Sequence, residues 1–364
     1  MGCRPRVVVW VAPGLSFGAP APPGLWFGSL AQTKFTACVG SWRNRLIALD
    51  AAIRIGIDEN GLGPRLGPLV VTAVSATTWG EGHERASRRA RGALRSRLGD
   101  SKKLIGHGDT ALGEAWARAI ARHTGAGDGE GPDALVRRLS LDTAEALRSP
   151  CPEAHAEQCW STHEEGFLAE EKLVTQVERD LAKLEEQGIR VLGAACVITC
   201  ARRLNEGIAR GLTRFHLDLH AMERLALHAR ASAGRDVIAT CGKVGGFDYY
   251  GPAFGPISGW LHAVEQEGRA RSEYVVPGLG RIAFVRDADD KHLLVSMASL
   301  VGKWVRDLLM ARVVRYHREV DPDLPDASGY HDPVTTRFIE ATRLVRGRRA
   351  LPDDCFERRA WGKA

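Results

Sequence analysis

The most constraining feature of the sequence is the segment 53–64, which reads Ile-Arg-Ile-Gly-Ile-Asp-Glu-Asn-Gly-Leu-Gly-Pro. Its isoleucines alternate with other residues, and this period of two predicts a β-strand with one buried face. Two adjacent carboxylates and a turn with two glycines follow, and a second apolar run begins at Leu69. The segment therefore predicts a β-hairpin that carries Asp58 and Glu59 at its tip.

Asp58 and Glu59 can be interpreted in two ways. Carboxylates this close repel each other, so one pKa must rise unless a positive charge lies nearby. A divalent cation such as Mg²⁺ would meet that need, because hard cations take carboxylate oxygens. The alternative is a pair of solvated turn residues, since turns are rich in acids. Taken alone, the segment favours the solvated turn.

Composition restricts the class of protein only loosely. The chain has 364 residues and a formal net charge of +6, a mild excess that is compatible with a polyanionic partner such as nucleic acid. Its eight cysteines are scattered without a Cys-x-x-Cys pair, which predicts free thiols in a cytoplasmic protein rather than disulfides or a zinc site. No apolar run is long enough to span a bilayer, so no membrane partner is expected.

The domain organisation follows from changes in composition along the chain. Residues 1–50 are poor in charge and rich in Gly, Pro and Trp, which predicts a weakly ordered leader. A single folded domain is expected at 51–345, with a helical elaboration at about 105–190. Residues 346–364 are basic and are expected to form a loosely ordered tail.

Local periods predict most of the remaining elements. Helices are expected at 81–98, 110–123, 167–187, 193–231 and 335–345, and strands at 235–241 and 281–285. The segment Asp100-Ser101-Lys102-Lys103-Leu104 is typical of a capped helix start with two lysines that suit a phosphate. It is equally typical of a capped surface loop.

A further helix after residue 291 has two stripes at helical spacing. The apolar stripe, which we expect to pack on the sheet, contains Leu294, Met297, Val301, Val305 and Leu308. The polar stripe, which we expect to face outward, contains Ser296, Ser299, Lys303 and Arg306. Asp287 and Asp289 precede the first turn, where carboxylates are favoured, so both could be simple capping acids.

Four of these segments, in this order, resemble ribonuclease HII, the type 2 ribonuclease H family. The matches, each with the family pattern that it resembles, are residues 58–64 (Asp-Glu-Ala-Gly-Arg-Gly-Pro), 100–104 (Asp-Ser-Lys-Lys-Leu), 288–289 with 295–299 and Lys303 (Ala-Asp, Val-Ser-Ala-Ala-Ser and a helical Lys), and 328–330 (the late Gly-Tyr turn). The resemblance covers roughly residues 53–345, with a divergent middle.

The resemblance implies an α/β, ribonuclease H-like fold: a mixed five-stranded sheet with antiparallel first strands, flanked by helices. It also implies that Asp58, Glu59 and Asp289 hold Mg²⁺ or Mn²⁺ for two-metal hydrolysis of a phosphodiester. Substrate contacts are implied for Gly61, Leu62, Gly63, Lys102, Lys103, Ser299, Lys303 and Tyr330. In this scheme the turn approaches the ribose 2′-hydroxyl, the tyrosine stacks on the sugar and the lysines meet phosphates.

The chain departs from the family pattern at two positions. Leu62 replaces the usual arginine, which removes a phosphate contact. Gly242 aligns with an aspartate that the family has at the end of the middle strand. Asp287 is the candidate to replace that acid as a fourth ligand, because residues 287 and 289 of an extended segment face the same side. Asp248 and Asp218 are weaker candidates.

Two functions follow from these patterns. The first is a metal-dependent endonuclease, expected to be a monomer, that cuts the RNA strand of RNA–DNA hybrids or cuts at embedded ribonucleotides. The second is a catalytically impaired protein that binds such hybrids, because Gly242 cannot bind a metal ion.

Overall fold

The structure is a computed structural model that describes residues 50–106, 108–151 and 156–359. The leader expected at 1–50 lies outside the described residues except for Asp50, and so does the end of the chain from residue 360.

Seven strands of the described chain form one mixed sheet in the order β3-β2-β1-β4-β7-β6-β5. The strands are β1 Ala52–Asn60, β2 Leu69–Thr78, β3 Ile189–Thr199, β4 Val237–Gly242, β5 Ala263–Gln266, β6 Arg271–Val276 and β7 Gly280–Val285. The first three pair antiparallel, β1, β4 and β7 are parallel neighbours, and β6 and β5 close the edge antiparallel. The expected mixed α/β sheet with antiparallel first strands is confirmed.

The expected number of five strands is wrong, and the helix expected at 193–231 is wrong over its first residues. Residues 193–199 belong to β3, which pairs along the whole length of β2. Ala194 and Ala195 favour helix locally, but the β-branched residues that follow and the pairing with a buried neighbour strand override that weak preference. At the opposite edge β5 is exposed at every position, so it has no alternating pattern that could predict it.

Helices flank the sheet on both faces. They are α1 Gly82–Ala86, α2 Ser101–Leu104, α3 Ala111–His123, α4 Pro132–Leu139, α5 Ala144–Arg148, α6 Ala156–Trp160, α7 Glu171–Glu186, α8 Ala201–Ala209, α9 Arg214–Ala233, α10 Ala288–Lys291, α11 Leu293–Arg318, α12 Pro333–Ala341, α13 Arg343–Arg348 and α14 Asp353–Phe356. Helices α3 and α7 confirm two of the predictions. The single helix expected at 81–98 is instead α1 followed by a 3-10 turn. Within the described ranges, none of the helices is both long and apolar enough to traverse a bilayer.

The two faces of β1 pack against different helices. Its isoleucines lie in a core shared with Phe215 and Met222 of α9. The opposite face meets α11, whose Leu294 and Met297 belong to a second core with α3 and α7. A side chain at Gly56 would collide with the backbone of Leu294. The glycine therefore lets the start of α11 lie directly against the strand that carries Asp58.

The polar stripe of α11 is buried except at half-buried Lys303, so the expectation that it faces outward is wrong for Ser296, Ser299 and Arg306. Ser296 is fully buried, and its hydroxyl donates to the carbonyl of Asp289 at 2.6 Å. The hydroxyl of Ser299 shares a hydrogen bond of 2.9 Å with that of Ser101. Ser299 is covered by the end of β1 and by α2, and Arg306 is covered by the loop at Ser328 and Tyr330.

The described part of the expected tail, residues 346–359, packs against the rest of the fold instead of forming a loose extension. Phe356 of α14 is 2% exposed and lies in a third core with Leu66 and Phe338. The guanidinium of Arg346 stacks 4.0 Å over the Phe356 ring. Apolar and cation–π contacts therefore hold a segment whose charge alone indicated a solvated tail.

His317 packs against Phe338 and Phe356 of this third core, and its burial predicts an acid-labile region. Its side chain is fully buried, and burial first, then Arg346 and Arg349, lowers its pKa to about 4. The unfolded chain takes up a proton near pH 6.5 while the folded protein does not, so stability should fall as pH drops from about 6.5 to 4. The loss should reach roughly 3 kcal/mol. His292, with a pKa lowered to about 4 chiefly by burial, adds in the same direction.

Urea unfolding of His317→Gln between pH 7 and 4.5 measures this effect, and the variant should have a shallower pH dependence than the wild type. Exposed His163 offers the matched control. Equal pH dependence of the wild type and His317→Gln would contradict the assignment.

Candidate active site

Three carboxylates converge at one edge of the sheet. Asp58 and Glu59 lie near the end of β1, and Asp289 lies in α10, which directly follows β7. Because β1, β4 and β7 are parallel neighbours, their carboxyl ends lie at the same edge. Asp58 is only 7% exposed. The structure thus brings together acids from distant parts of the chain, and Asp58 is not the solvated turn residue of the alternative interpretation.

The electrostatics of the three acids reflect this convergence. Burial, then the charges of Glu59 and Asp289, raises the pKa of Asp58 well above its usual value. Burial, then Asp218, raises the pKa of Glu59 to about 8. Burial, then Asp100, raises the pKa of Asp289. Negative charge is therefore accumulated here beyond what the neighbouring side chains neutralise.

Lys102 is the cation that opposes the raised pKa at all three carboxyls. It lies in α2, whose N-cap Asp100 accepts a hydrogen bond of 3.0 Å from the Lys102 backbone N–H. Lys103 turns instead to Asp100, with 3.0 Å between ammonium and carboxylate, and remains exposed. The Asp-Ser-Lys-Lys segment is thus a capped helix start beside the acids, with Lys102 directed toward them.

The glycine turn that follows β1 is held from below by two buried arginines. Arg358 donates to the carbonyls of Gly61 at 2.5 Å and Gly67 at 2.8 Å. Arg214 donates to the three carbonyls of residues 62–64 at 3.1 to 3.2 Å. In a trans peptide the N–H points opposite to the preceding C=O. The N–H groups of Leu62 and Gly63 therefore face away from the guanidiniums.

The backbone conformation requires glycine at position 61 but not at position 63. Gly61 has φ +90°, and a side chain there would come within 2.8 Å of the Pro68 carbonyl. Gly63 has an ordinary φ and no atom within 4 Å of where a side chain would begin. Strain accounts for the first glycine. The packing of the chain gives no reason for the second, but the approach of a ligand would.

The two glycines predict opposite effects of the same substitution. Gly61→Ala should lower the free energy of unfolding by about 1–3 kcal/mol, because it forces a left-handed backbone and a clash. Gly63→Ala should leave stability within about 0.5 kcal/mol yet weaken substrate binding. Urea unfolding and hybrid binding, measured on both variants, separate the two outcomes. Loss of stability without loss of binding in Gly63→Ala would contradict the ligand role.

Tyr330 lies in a loop that packs beside the glycine turn, and Arg306 contacts its ring. The Gly329 carbonyl accepts from the backbone N–H groups of Arg65 and Leu66, which docks this loop just after the glycine turn. The Arg306 guanidinium lies 4.7 Å from the Tyr330 ring centroid and donates to the Ser328 carbonyl at 2.6 Å. The Tyr330 side chain is nevertheless 45% exposed. Arg306 therefore holds one side of the Tyr330 ring in place, while nearly half of the side chain stays exposed to solvent.

The other predicted contact residues have mixed placements. Ser299 is buried, and its hydroxyl lowers the pKa of Asp58, against the larger effect of burial. The Lys303 ammonium donates to Asp307 at 2.8 Å. Leu62 is half-buried, and its apolar side chain cannot make the phosphate contact that an arginine would make at this position. Whether Lys303 meets a phosphate stays a prediction.

The structure does not place Asp287 as the sequence suggested. The segment is not extended: Asp287 has φ +54° and precedes α10. Its carboxylate is 58% exposed and accepts from Lys291 at 3.1 Å. The premise that residues 287 and 289 face the same side is therefore wrong, because the chain turns into a helix between them.

Asp218, which the sequence indicated only as a weaker candidate for the missing acid, proves to be buried close to the acids of β1. It lies in α9, is fully buried, and is the charge with the largest effect on Glu59. The available signal was an acid on an apolar stripe, since residues 215, 218, 219 and 222 share one face of a helix and the other three are Phe215, Leu219 and Met222. Such a position places a carboxylate in a core.

The donor atoms at this edge suit a hard divalent cation, because they are carboxylate oxygens that lack a full set of counter-charges. As placed, however, no three His, Cys, Asp or Glu side chains of the described chain form a ready metal site. The donor chemistry fits Mg²⁺ or Mn²⁺, but the described carboxylates as placed do not form a group of three that could coordinate one ion.

Comparison with known proteins gives distant structural likenesses only. No protein-family model matches the sequence, and no curated protein does. A chain of the PCNA:RNase HII complex from Archaeoglobus fulgidus is 18% identical with a TM-score of 0.40, covering 86% of this chain and 96% of that one. Bst-RNase HIII in complex with Mn²⁺ is 13% identical with a TM-score of 0.39, covering 84% and 66%. Ribonuclease H2 from Pyrococcus horikoshii OT3 is 13% identical with a TM-score of 0.34, covering 85% and 94%. At this distance activity must be argued from this chain's own side chains.

Proposed function

We propose that this protein is a metal-dependent endonuclease that hydrolyses the RNA strand of RNA–DNA hybrids. The observation that carries the proposal is the convergence of Asp58, Glu59 and Asp289 at one end of the sheet. Their carboxyl pKa values are raised, and Lys102 is the cation of the described chain that opposes the rise at all three. An accumulation of buried negative charge is costly unless a cation relieves it. Asp58, Glu59 and Asp289 are the residues that would hold Mg²⁺ or Mn²⁺.

Divalent ions held by Asp58, Glu59 and Asp289 would activate a water and stabilise the leaving oxygen of a phosphodiester. The chain itself does the positioning. Helix α11 packs against β1 at Gly56, and the Ser296 hydroxyl holds the Asp289 carbonyl, so the acids of β1 and α10 share one framework. Lys102 places a positive charge beside the acids, where a scissile phosphate would approach.

Selection of RNA is assigned to the glycine turn. Arg214 and Arg358 occupy its carbonyls, which directs the N–H groups of Leu62 and Gly63 outward, where they can donate to a ribose 2′-hydroxyl. The open space above Gly63 allows the sugar to come close. The 2′-hydroxyl is the group that separates RNA from DNA at a given position. The exposed face of Tyr330 would stack on the sugar.

Duplex binding is assigned to cations that do not read sequence. Lys102 and Lys103 are exposed at α2, and Lys303 is half-buried on α11. Arg306, Arg214 and Arg358 lie close together behind the turn, since burial and then the other two guanidiniums lower the pKa of Arg358. Such contacts position a nucleic acid through its phosphates.

Hybrid binding without efficient cleavage is the second candidate function. It is favoured by Gly242, which lies among the acids but carries no ligand: a side chain there would begin 2.6 Å from Asp58 Oδ1 and 3.7 Å from Glu59 Oε2. The lack of a closed ligand set in the described chain points the same way.

The deciding experiment incubates purified full-length protein with a labelled RNA–DNA hybrid, a matched DNA duplex and a matched RNA duplex, in Mg²⁺ or Mn²⁺. The nuclease predicts cleavage of the RNA strand in the hybrid alone. Tight hybrid binding with no cleavage in either ion would support the second function. Equal cleavage of the DNA duplex, or neither binding nor cleavage, would overturn both.

A further inference from the structure

Asp218 is a buried carboxyl for which the described fold provides no partner. Its side chain is fully buried in α9, and neither carboxyl oxygen has a hydrogen-bond partner among the described residues. Burying such a group without a partner is strongly unfavourable. By contrast, Glu223 on the same helix is equally buried but accepts hydrogen bonds from the backbone N–H groups of Gly255 and Ile257. Asp218 is therefore the unexplained acid of α9.

The Asp218 carboxyl lies within electrostatic reach of the acids on β1. Burial, then the Asp58 charge, raises its pKa well above the usual value, and Asp218 in turn acts on Glu59. Successive residues of a strand face opposite sides of a sheet. The isoleucine at position 57 packs toward α9, so Glu59 begins on that same face. Asp218 thus lies on the side of the sheet toward which the Glu59 side chain begins, whereas Asp289 lies in α10 after β7.

Position 242 shows what is missing among these acids. Gly242 ends β4, the strand between β1 and β7, and it sits against the Asp58 and Glu59 carboxylates without contributing an oxygen. The space where its side chain would begin is filled by Asp58. A donor that completes the set must therefore come from another element.

The other acids considered for this role already have cationic partners. Asp287 is exposed and bound to Lys291. Asp248 accepts from the Lys243 ammonium at 2.6 Å, and that lysine is only 4% exposed. Lys243, although next to Gly242 in sequence, is thereby turned away to Asp248. Neither alternative leaves an unpartnered carboxylate.

We propose that Asp218 supplies, from helix α9, the carboxylate that Gly242 cannot, and completes a divalent-cation site with Asp58, Glu59 and Asp289. The inference rests on the proposed function for the use of that cation, but not for its binding. It accounts for two features together: an acid kept in a core without a partner, and a glycine at the centre of an acidic cluster.

Asp218→Asn tests the proposal, because asparagine keeps the shape and removes the charge. Mn²⁺ alone is the probe, with affinity from calorimetry and the metal-dependent shift in melting temperature as readouts. We expect at least tenfold weaker Mn²⁺ binding and a melting shift reduced to less than half. Glu223→Gln is the matched control on the same helix: it should lower the melting temperature of the metal-free protein and keep Mn²⁺ affinity within about twofold.

Unchanged Mn²⁺ affinity in Asp218→Asn, or a loss equal to that in Glu223→Gln, would overturn the proposal. Hybrid cleavage measured in parallel distinguishes failure of this inference from failure of the proposed nuclease function. Asp218-dependent Mn²⁺ binding without any cleavage keeps this inference and rejects the nuclease. If cleavage and Mn²⁺ affinity both survive Asp218→Asn, the role of Asp218 is rejected and the nuclease is kept.

Discussion

Replacing Asp58 by asparagine is expected to abolish hybrid cleavage and, at the same time, to stabilise the metal-free protein. Cleavage should fall by at least about 10³-fold, because the variant removes a ligand for ions that stabilise several kcal/mol of transition-state charge. Stability should rise by roughly 1 kcal/mol or more at pH 8, because the carboxylate is buried beside like charges. These opposite effects are typical of a side chain retained for function at a cost to the fold.

Asp287→Asn is the matched control for Asp58→Asn. Asp287 lies two residues before Asp289, but its carboxylate is exposed and paired with Lys291. The control should retain cleavage and change stability by less than about 0.5 kcal/mol. Labelled-hybrid cleavage and urea unfolding measure both variants. Equal loss of cleavage in the two would mean that Asp287 belongs with the acids, and retained cleavage in Asp58→Asn would reject the nuclease.

Truncating Arg358 to alanine is expected to be the most destabilising single change near the turn. The side chain is 3% exposed and donates to the carbonyls of Gly61 and Gly67. Its removal leaves two buried acceptors without donors and opens a cavity, which should cost about 3 kcal/mol or more. Because these bonds orient the turn, hybrid affinity should fall as well.

Arg359→Ala tests whether the Arg358 effect is specific. Its side chain is half exposed, and its guanidinium pairs with Asp354 on the surface. The free energy of unfolding should change by less than about 1 kcal/mol. Urea unfolding and hybrid binding should therefore separate two adjacent arginines. If Arg358→Ala lowers the free energy of unfolding and hybrid affinity no more than Arg359→Ala does, Arg358 does not orient the turn.

The acidic hairpin could be read from the sequence because its signals are local. Alternating isoleucines predict a strand over a few residues, and two glycines after two acids predict a tight turn. The capped Asp-Ser-Lys-Lys helix start and the long helix after residue 291 are local in the same sense. Their meeting at one edge was expected only through resemblance, and the parallel pairing of β1, β4 and β7 provides the physical reason.

Other features depend on contacts between segments far apart in the chain. β3 forms because a paired neighbour strand outweighs the helical preference of its alanines. The basic C-terminal segment is ordered because Phe356 enters a core and Arg358 meets carbonyls of the turn. No short window contains either partner, so charge alone indicated a solvated tail.

The sequence by itself determined which side chains are available at the candidate site: two acids at a strand end, an acid before a long helix, lysines at a capped helix start and a glycine where another acid was expected. Only the tertiary structure decided how they are used. It turned Asp287 toward solvent, turned Lys243 to Asp248 and buried Asp218 against the acids of β1. The physical reason is that a carboxylate's role depends on which charges and solvent surround it, and those surroundings exist only once distant helices and strands have packed together.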